Sequence, residues 1–456
     1  MASRLRPSKP TGLWKVWDKV VRRAPRAVAL IEAESGKSWT REDLFARARE
    51  LAAGPLAHAT GNNVGYSLPN NSQWMILFTA LQAVGAAAVP LDSSLTAKQQ
   101  DALAASAGLR YVWRDGELME THGTVTSIGK MRVGKLTSGT TGNPRIIRCT
   151  ADHLIADGRN IIRTMGLRPN DRNLALIPLG HSYGLGNLVI PLLLQGTSLV
   201  CARAFVPRQI PHWIQKHRVT LLAVVPAIVR LLAELPGRDR LPKLRLVISA
   251  GARLPAESAL AFKARWKRRV HNFYGSSETG GICYDKSGAA STTGRAVGVP
   301  LKGVEVDLTA RGRVRVTSEA VASGRRGIFT LPDIGRFNSR GELELIGRLG
   351  RVANLGGRNL HPREIENRLV KLRGVTDAWV QALSEAGRDY LVAAVESTRS
   401  VKEISAELSA AIAEWQQPRF WLVRPRLPRN ARGKLDHEAI KSQFASANSI
   451  PTPGRG

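Results

Sequence analysis

Apolar runs of strand length alternate with helix-length segments through the first half of the chain, and this alternation restricts the fold to an α/β class. Val64-Gly65-Tyr66-Ser67-Leu68 reads as a strand, Ser72 to Val84 as a buried helix and Ala86 to Leu91 as a second strand. Upstream, Thr40 stands as a cap ahead of an amphipathic stretch that runs to Leu51. The pattern then recurs: Leu174 to Pro178 is strand-like, Leu185 to Leu194 helical, Thr197 to Cys201 a strand and Ile210 to His217 an amphipathic helix. Leu221 to Val225 and Leu244 to Ser249 have the continuous apolar character of strands buried on both faces. From about Val299 to Leu345 the pattern changes to short alternating strands broken by glycine, which predicts a smaller β-rich subdomain.

A chain of 456 residues is too long for one ordinary core. The expected boundary lies at Gly347-Arg348-Leu349-Gly350-Arg351, after an alternating strand and before a compact α+β segment in which Glu364 to Val370 starts a helix. The reading is a large, multi-subdomain α/β domain over 1–346, a smaller α+β domain over 347–446 and a Pro/Gly/Ser-rich, disordered tail over 447–456.

Leu136-Thr137-Ser138-Gly139-Thr140-Thr141-Gly142-Asn143-Pro144-Arg145 concentrates hydroxyls, glycines and a cation in one short loop. Glycine lets the backbone approach an anion, hydroxyls donate hydrogen bonds, and successive amides form an anion-binding concavity. The loop lacks the terminal Gly-Lys-Ser/Thr of a Walker motif. Three further segments follow in order: Asn272-Phe273-Tyr274-Gly275-Ser276-Ser277-Glu278-Thr279-Gly280, then Pro332-Asp333 with Gly347-Arg348, then Pro428-Arg429-Asn430-Ala431-Arg432-Gly433-Lys434-Leu435-Asp436.

Together the four segments resemble the ordered signature of the adenylate-forming superfamily of acyl-CoA and aryl-CoA synthetases, peptide-synthetase adenylation domains and luciferases. The resemblance runs from about Leu13 to about Ile440, and Gly356 to Glu366 looks most like the acyl- and aryl-CoA synthetases. It implies αβαβα-type sheets and a small domain that rotates about a hinge at 347–351 between two half-reactions.

The resemblance also implies roles. Thr137, Ser138, Gly139, Thr140, Thr141 and Gly142 cradle the β- and γ-phosphates of ATP, with Arg145 in place of the usual lysine. Glu278 associates with Mg2+, which prefers hard oxygen ligands. Tyr274 stacks near the adenine, Gly275 and Ser276 belong to the ATP/AMP-binding set, and Ser277 contacts the α-phosphate or the acyl-adenylate. Asp333 binds the ribose hydroxyls, an acceptor-only task, and Arg348 reaches the same region. Lys434 acts from the small domain on the carboxylate and the α-phosphate. His181, Ser182, Tyr183 and Gly184 border the acyl pocket, Gly251 and Ala252 form the small-residue strand end under adenine and acyl group, and Gly356 and Gly357 line the pantetheine channel. The chain departs from the family pattern at Leu331-Pro332, Gly350 and Asn354.

Composition bounds what such a chain meets. The net charge is +31, and basic residues gather between Arg4 and Arg26 and at Lys263, Arg265, Lys267, Arg268 and Arg269. A field of this sign attracts anionic partners; an acidic acyl carrier protein, an anionic membrane surface touched peripherally, nucleic acid and a plain solvated face all fit it. No zinc finger or RNP-type aromatic motif accompanies the charge, so no specific nucleic acid is expected. No run is long and apolar enough to span a bilayer, the N-terminus lacks a secretory pattern, and three widely spaced cysteines without CxxC pairing point to a cytoplasmic protein. The expected activity is that of an ATP-dependent, AMP-forming acid:thiol ligase. It activates a fatty, aryl or related carboxylate and passes the acyl group to the phosphopantetheine thiol of CoA or of a carrier protein. Two alternatives are an amino-acid-activating adenylation domain, which Ser182 disfavours where those activators carry an aspartate, and a non-catalytic binding protein using its basic surface.

Overall fold

The computed structural model describes residues 12–92, 96–122, 124–138, 144–237, 240–294, 296–348, 353–355, 358–360, 362–385, 388–412, 414–430 and 433–447. It is a mixed α/β structure with a large N-terminal domain and a smaller C-terminal one. Two sheets form the body of the large domain. The first runs Val299–Pro300, Gly280–Tyr284, Val270–Ser276, Leu246–Ser249, Leu221–Val224, Arg172–Ala175, Ser198–Cys201, Val28–Glu32 and Ser38–Thr40. Its central strands are parallel, from Val28–Glu32 across to Val270–Ser276. The second runs Glu117–Glu120, Tyr111–Arg114, Asn63–Tyr66, Ala87–Pro90, Val133–Ser138 and Pro144–Cys149.

The strands expected near residues 64, 86, 174, 197, 221 and 244 all lie in these sheets, with ends shifted by a few residues. Strands Leu221–Val224 and Leu246–Ser249 are buried along their whole length, which is why their sequences are apolar without alternation. Thr40 caps the helix Arg41–Ala53 through a reciprocal box with Asp43, a device worth about 1 kcal/mol. The helix Ser72–Ala83 is capped by Asn71 and buries Trp74, Met75, Leu77, Phe78 and Leu81 between layers.

The β-rich region is a four-stranded antiparallel sheet, Glu305–Leu308, Arg313–Thr317, Ile328–Phe337 and Leu343–Arg348. Beyond it a short ribbon pairs Ala353–Leu355 with Arg358–Leu360, and the sheet of Val375–Glu385, Arg388–Ser397 and Phe420–Arg424 carries the helix Pro362–Leu369, which starts two residues before Glu364. Of the expected hinge, Gly347 and Arg348 end the β-rich sheet, while 349–351 and the tail from 448 lie outside the described residues.

Arginine does structural work across the fold. Buried Arg41 donates to the Gly196 carbonyl at 3.1 Å, Arg172 to that of His217 at 2.9 Å, and Arg148 to those of Ser127 and Ile128 at 2.6 and 2.8 Å. In the basic cluster, Arg265 bonds the Leu235 carbonyl and lies 3.8 Å over the Trp266 ring, Arg268 bonds the carbonyl of Leu244 and Arg269 that of Ser287. Part of the net charge is therefore committed to holding loop carbonyls that would otherwise need water.

Candidate active site

Strand ends and the turns that follow them build the site, as expected where parallel strands present their carboxyl ends together. Strand Val270–Ser276 delivers Tyr274, Gly275 and Ser276, then turns through Ser277 and Glu278 into the antiparallel strand Gly280–Tyr284. The turn is fixed on several sides. Ser276 Oγ accepts from the Thr279 amide at 3.2 Å, the Glu278 carbonyl accepts from Ala322 at 2.8 Å, and the Gly281 amide donates to Asp157 Oδ1 at 2.8 Å. With its backbone held, the Glu278 carboxylate makes no hydrogen bond or ion pair with any described residue. A half-buried carboxylate of this kind fits a hard cation that takes its other ligands from phosphates. Among the described residues no group of three His, Cys, Asp or Glu could hold a metal by itself.

Asp157 lies in the helix Ala151–Met165 and is buried. Burial pushes its carboxyl upward, opposed by the nearby Lys135 charge and the Gly281 amide. Gly280 has φ +73°, and a Cβ there would stand 2.4 Å from Asp157 Oδ1, so this turn admits no side chain at that position.

Two side-chain bonds connect the expected site segments. Tyr274 Oη donates to Asp333 Oδ2 at 3.0 Å, tying the main sheet to the β-rich sheet. Asp333 is also the direct antiparallel partner of Arg348, so one register brings both expected ribose residues together; the Arg348 side chain lies outside the described atoms. Leu331-Pro332 continues the strand that positions Asp333, so the departure there leaves the backbone register in place. Ser182 and Ser277 hydroxyls lie 2.8 Å apart, which joins the segment expected to border the acyl pocket to the motif that precedes Glu278.

His181 precedes one helical turn, Ser182–Gly184, and its carbonyl accepts from Leu185 at 2.7 Å. The helix expected over Leu185 to Leu194 instead begins with a wider π-turn over Leu185–Val189 before Ile190–Gln195 closes normally. Pro191 has no amide to give to Asn187, and the Asn187 carbonyl takes Asn173 Nδ2 at 3.1 Å instead. Tyr183 turns inward and donates to the Ile248 carbonyl at 3.0 Å, while Gly184 packs so closely on the Pro178 carbonyl that a Cβ would stand 2.0 Å away.

Lys434 reaches this cluster from the small domain. Asn430 and Lys434 close a turn, with the Asn430 amide donating to the Lys434 carbonyl at 2.8 Å and the Lys434 amide to Asn430 Oδ1 at 3.2 Å. Gly433, at φ +70°, seats the turn against the large domain, where a Cβ would meet Ala227 at 3.4 Å and Val225 at 3.5 Å. Lys434 Cε lies 3.6 Å from the Cβ position of Gly251, the exposed strand end next to Ala252.

Tyr274, Ser277, Glu278, Asp333, Ser182, Gly251 and Lys434 are thus linked through sheet edges, direct bonds or close approach. Gly139, Thr140, Thr141, Gly142, Gly356 and Gly357 lie outside the described residues. Thr137 and Ser138 are described only as backbone, on a strand where Thr137 pairs with Arg145. Asn354 is likewise backbone alone, paired with Asn359. Cys149, Cys201 and Cys283 are buried and free, and burial raises each thiol's pKa, so none is an activated nucleophile.

Sequence reading missed Asp157 and Glu396. The signal for both was an acid closing an apolar run, Leu154-Ile155-Ala156-Asp157 and Val392-Ala393-Ala394-Val395-Glu396.

A profile described as AMP-binding enzyme matches residues 17–132 and 135–320. The chain is 27% identical to a feruloyl-CoA synthase of an Amycolatopsis species, over 95% of this chain and 99% of the relative. It is 28% identical to the 2-succinylbenzoate–CoA ligase of Bacillus pumilus, over 92% and 96%. In fold it is similar to ATP-bound MatB from Rhodopseudomonas palustris, with TM-score 0.84 and 22% identity over 96% of this chain and 99% of that one. O-succinylbenzoate coenzyme A synthetase from Bacillus subtilis, solved with ATP and magnesium, superposes with TM-score 0.81 at 21% identity over 93% and 99%.

Proposed function

The chain belongs to the AMP-binding enzyme family, and from that premise we propose that it is an ATP-dependent, AMP-forming acid:thiol ligase. It joins a carboxylate to AMP with release of pyrophosphate, then passes the acyl group to a phosphopantetheine thiol. The observation that carries this reading is the approach of Lys434, from the small domain, to the strand end at Gly251, beside a frame in which Tyr274 meets Asp333 and Ser182 meets Ser277.

In-line attack of a carboxylate oxygen on the α-phosphorus gathers charge on the phosphates, and fixed positive groups aimed at that charge lower the barrier. Lys434 supplies such a charge at the carboxylate and α-phosphate. Asp333 and Tyr274 hold the nucleoside, and Thr137 through Gly142 with Arg145 hold the β- and γ-phosphates. Glu278 would hold Mg2+, which when bound neutralises phosphate charge; the turn's own bonds keep that carboxylate in place without consuming it. Ser277 contacts the α-phosphate or acyl-adenylate, and His181 gates the acyl pocket.

The substrate is an amine-free acid of the aryl, fatty or related class. Ser182, bonded to Ser277, offers a hydroxyl where an ammonium would need a carboxylate, and this counts against a free amino acid. The acceptor is CoA or an acidic carrier protein, thiol transfer following rotation of the small domain about 347–351 and entry past Gly356 and Gly357. Free buried cysteines are in keeping with a reducing cytoplasm. No helix among the described residues is long and apolar enough to cross a membrane.

The test is carboxylate-dependent pyrophosphate release across a panel of aryl, short-chain, fatty and amino acids, repeated with Lys434→Ala. The expected result is release with at least one amine-free acid, falling about 10²- to 10³-fold in the variant, while thioester formation from chemically supplied acyl-adenylate persists. Release with amino acids alone, or equal loss of both half-reactions in a folded variant, would overturn it.

A further inference from the structure

Among the described residues, side-chain contacts from Arg230 and Arg253 join the large and small domains close to Lys434. Arg230, on the helix Pro226–Glu234, pairs with Glu396 at the end of strand Arg388–Ser397, and Arg253 donates to Asn367 on the helix Pro362–Leu369.

Glu396 is the unusual member, because its side chain is 1% exposed and it already has partners within its own domain. The Leu427 amide donates to it at 3.0 Å, Thr376 Oγ1 at 2.9 Å and Arg429 at 3.1 Å, and Arg429 also pairs with Asp377 at 2.8 Å. Arg230 therefore adds a cation from the other domain to a carboxylate that its own domain has already positioned. Such a contact can open without leaving Glu396 as a bare buried charge, since the carboxylate keeps Arg429, Thr376 and the Leu427 amide.

The location ties this pair to Lys434. Arg429 is followed by Asn430, which holds the Lys434 turn from both ends. That turn lands on Ala227, and Arg230 lies on the same helix at the i+3 position, hence on the same face. One helix face of the large domain thus receives the lysine turn and, one turn further along, the carboxylate that anchors that turn's base. We propose that Arg230 is a positioning residue for adenylation: by closing on Glu396 it holds the small domain where Lys434 reaches Gly251, and this contact is released for thiol transfer.

The inference rests on the acid:thiol ligase reading, and its test separates the two. Arg230→Gln keeps the polar character of the side chain but loses the charge and the guanidinium reach; Arg230→Lys restores charge. In ATP–pyrophosphate exchange, Arg230→Gln lowers the maximal rate about 10- to 100-fold with little change in KM for ATP, and Arg230→Lys recovers most of it. Thioester formation from supplied acyl-adenylate stays within about twofold, or rises, in both variants. Equal loss in both half-reactions, or no loss in either, overturns the proposal.

A second readout needs no acid substrate. Spin labels on cysteines introduced at Leu260 in the large domain and Val401 in the small one occupy exposed positions, and the three native thiols are buried. Arg230→Gln is expected to shift their distance distribution away from that of the wild-type side chain, and an unchanged distribution overturns the proposal. If no acid releases pyrophosphate, the ligase reading fails while this distance still decides whether Arg230 sets the domain orientation.

Discussion

Replacing Gly280 by alanine tests how the Glu278 turn is held. The position has φ +73°, and a new Cβ would stand 2.4 Å from Asp157 Oδ1 and 2.5 Å from its Cγ. The left-handed backbone alone costs an L-residue roughly 1–2 kcal/mol. Asp157 cannot swing aside cheaply, because it is buried and its Oδ1 accepts the Gly281 amide at 2.8 Å. Its bond to the Gly281 amide must therefore lengthen or break, which adds about 1–3 kcal/mol for a buried donor left unsatisfied. The sum is roughly 2–5 kcal/mol. Gly341→Ala supplies the control, since Gly341 has φ +71° but nothing within 4 Å of its Cβ position, so it carries the backbone strain alone. Urea unfolding followed by tryptophan fluorescence should place Gly280→Ala below Gly341→Ala by about 1–3 kcal/mol at unchanged m. Equal midpoints for the two variants would refute the claim that Asp157 is a rigid buttress of this turn.

Glu278→Gln keeps the shape and removes the charge, so it should raise the magnesium requirement of adenylation and lower turnover about 10- to 1000-fold; a magnesium titration superposable on wild type would count against the metal role. Burial alone would raise Glu396, yet the Leu427 amide, Arg230 and Arg429 hold it down at about 2. A carboxyl depressed in the fold contributes stability above its unfolded value near 4.5, lost as pH falls toward 2. Glu396→Gln should flatten the acid limb of a stability–pH curve in that window, and an unaltered slope would show that the carboxylate is not so held. For carrier recruitment, Lys263 and Lys267 are the exposed lysines of the basic cluster. Reversing both to Glu should slow acylation of an acidic carrier at low salt and leave adenylate formation unchanged; unchanged carrier acylation at every salt concentration would mark the cluster as a solvated face.

What was legible in the sequence follows from how local each signal is. Strands such as Leu221–Val224 announce themselves because burial on both faces leaves no polar position, and Thr40 with Asp43 states a helix start within four residues. The candidate site residues were proposed from motifs, and the structure brings Tyr274 to Asp333 and Ser182 to Ser277 although the members of each pair are 59 and 95 residues apart. The π-turn at Leu185–Val189 was not legible, because it depends on Pro191 withholding an amide and on Asn173, in another strand, replacing it. Asp157 and Glu396 escaped for a related reason. A lone acid beside an apolar run acquires meaning only when the fold supplies its partners, here Gly281 for one and Arg230 with Arg429 for the other.

The arginine-to-carbonyl bonds give the charge excess two separable lives. Ions in solution weaken a field that extends beyond about 8–10 Å, so added salt should erase the attraction for anionic molecules. A guanidinium lodged on the Gly196, Leu244 or His217 carbonyl is bonded at contact distance, where screening has little purchase. A brine that silences the protein's long-range pull would thus leave its loops tied, and any reduction of the charge would have to spare these arginines, while exposed lysines such as Lys263 and Lys267 could be exchanged.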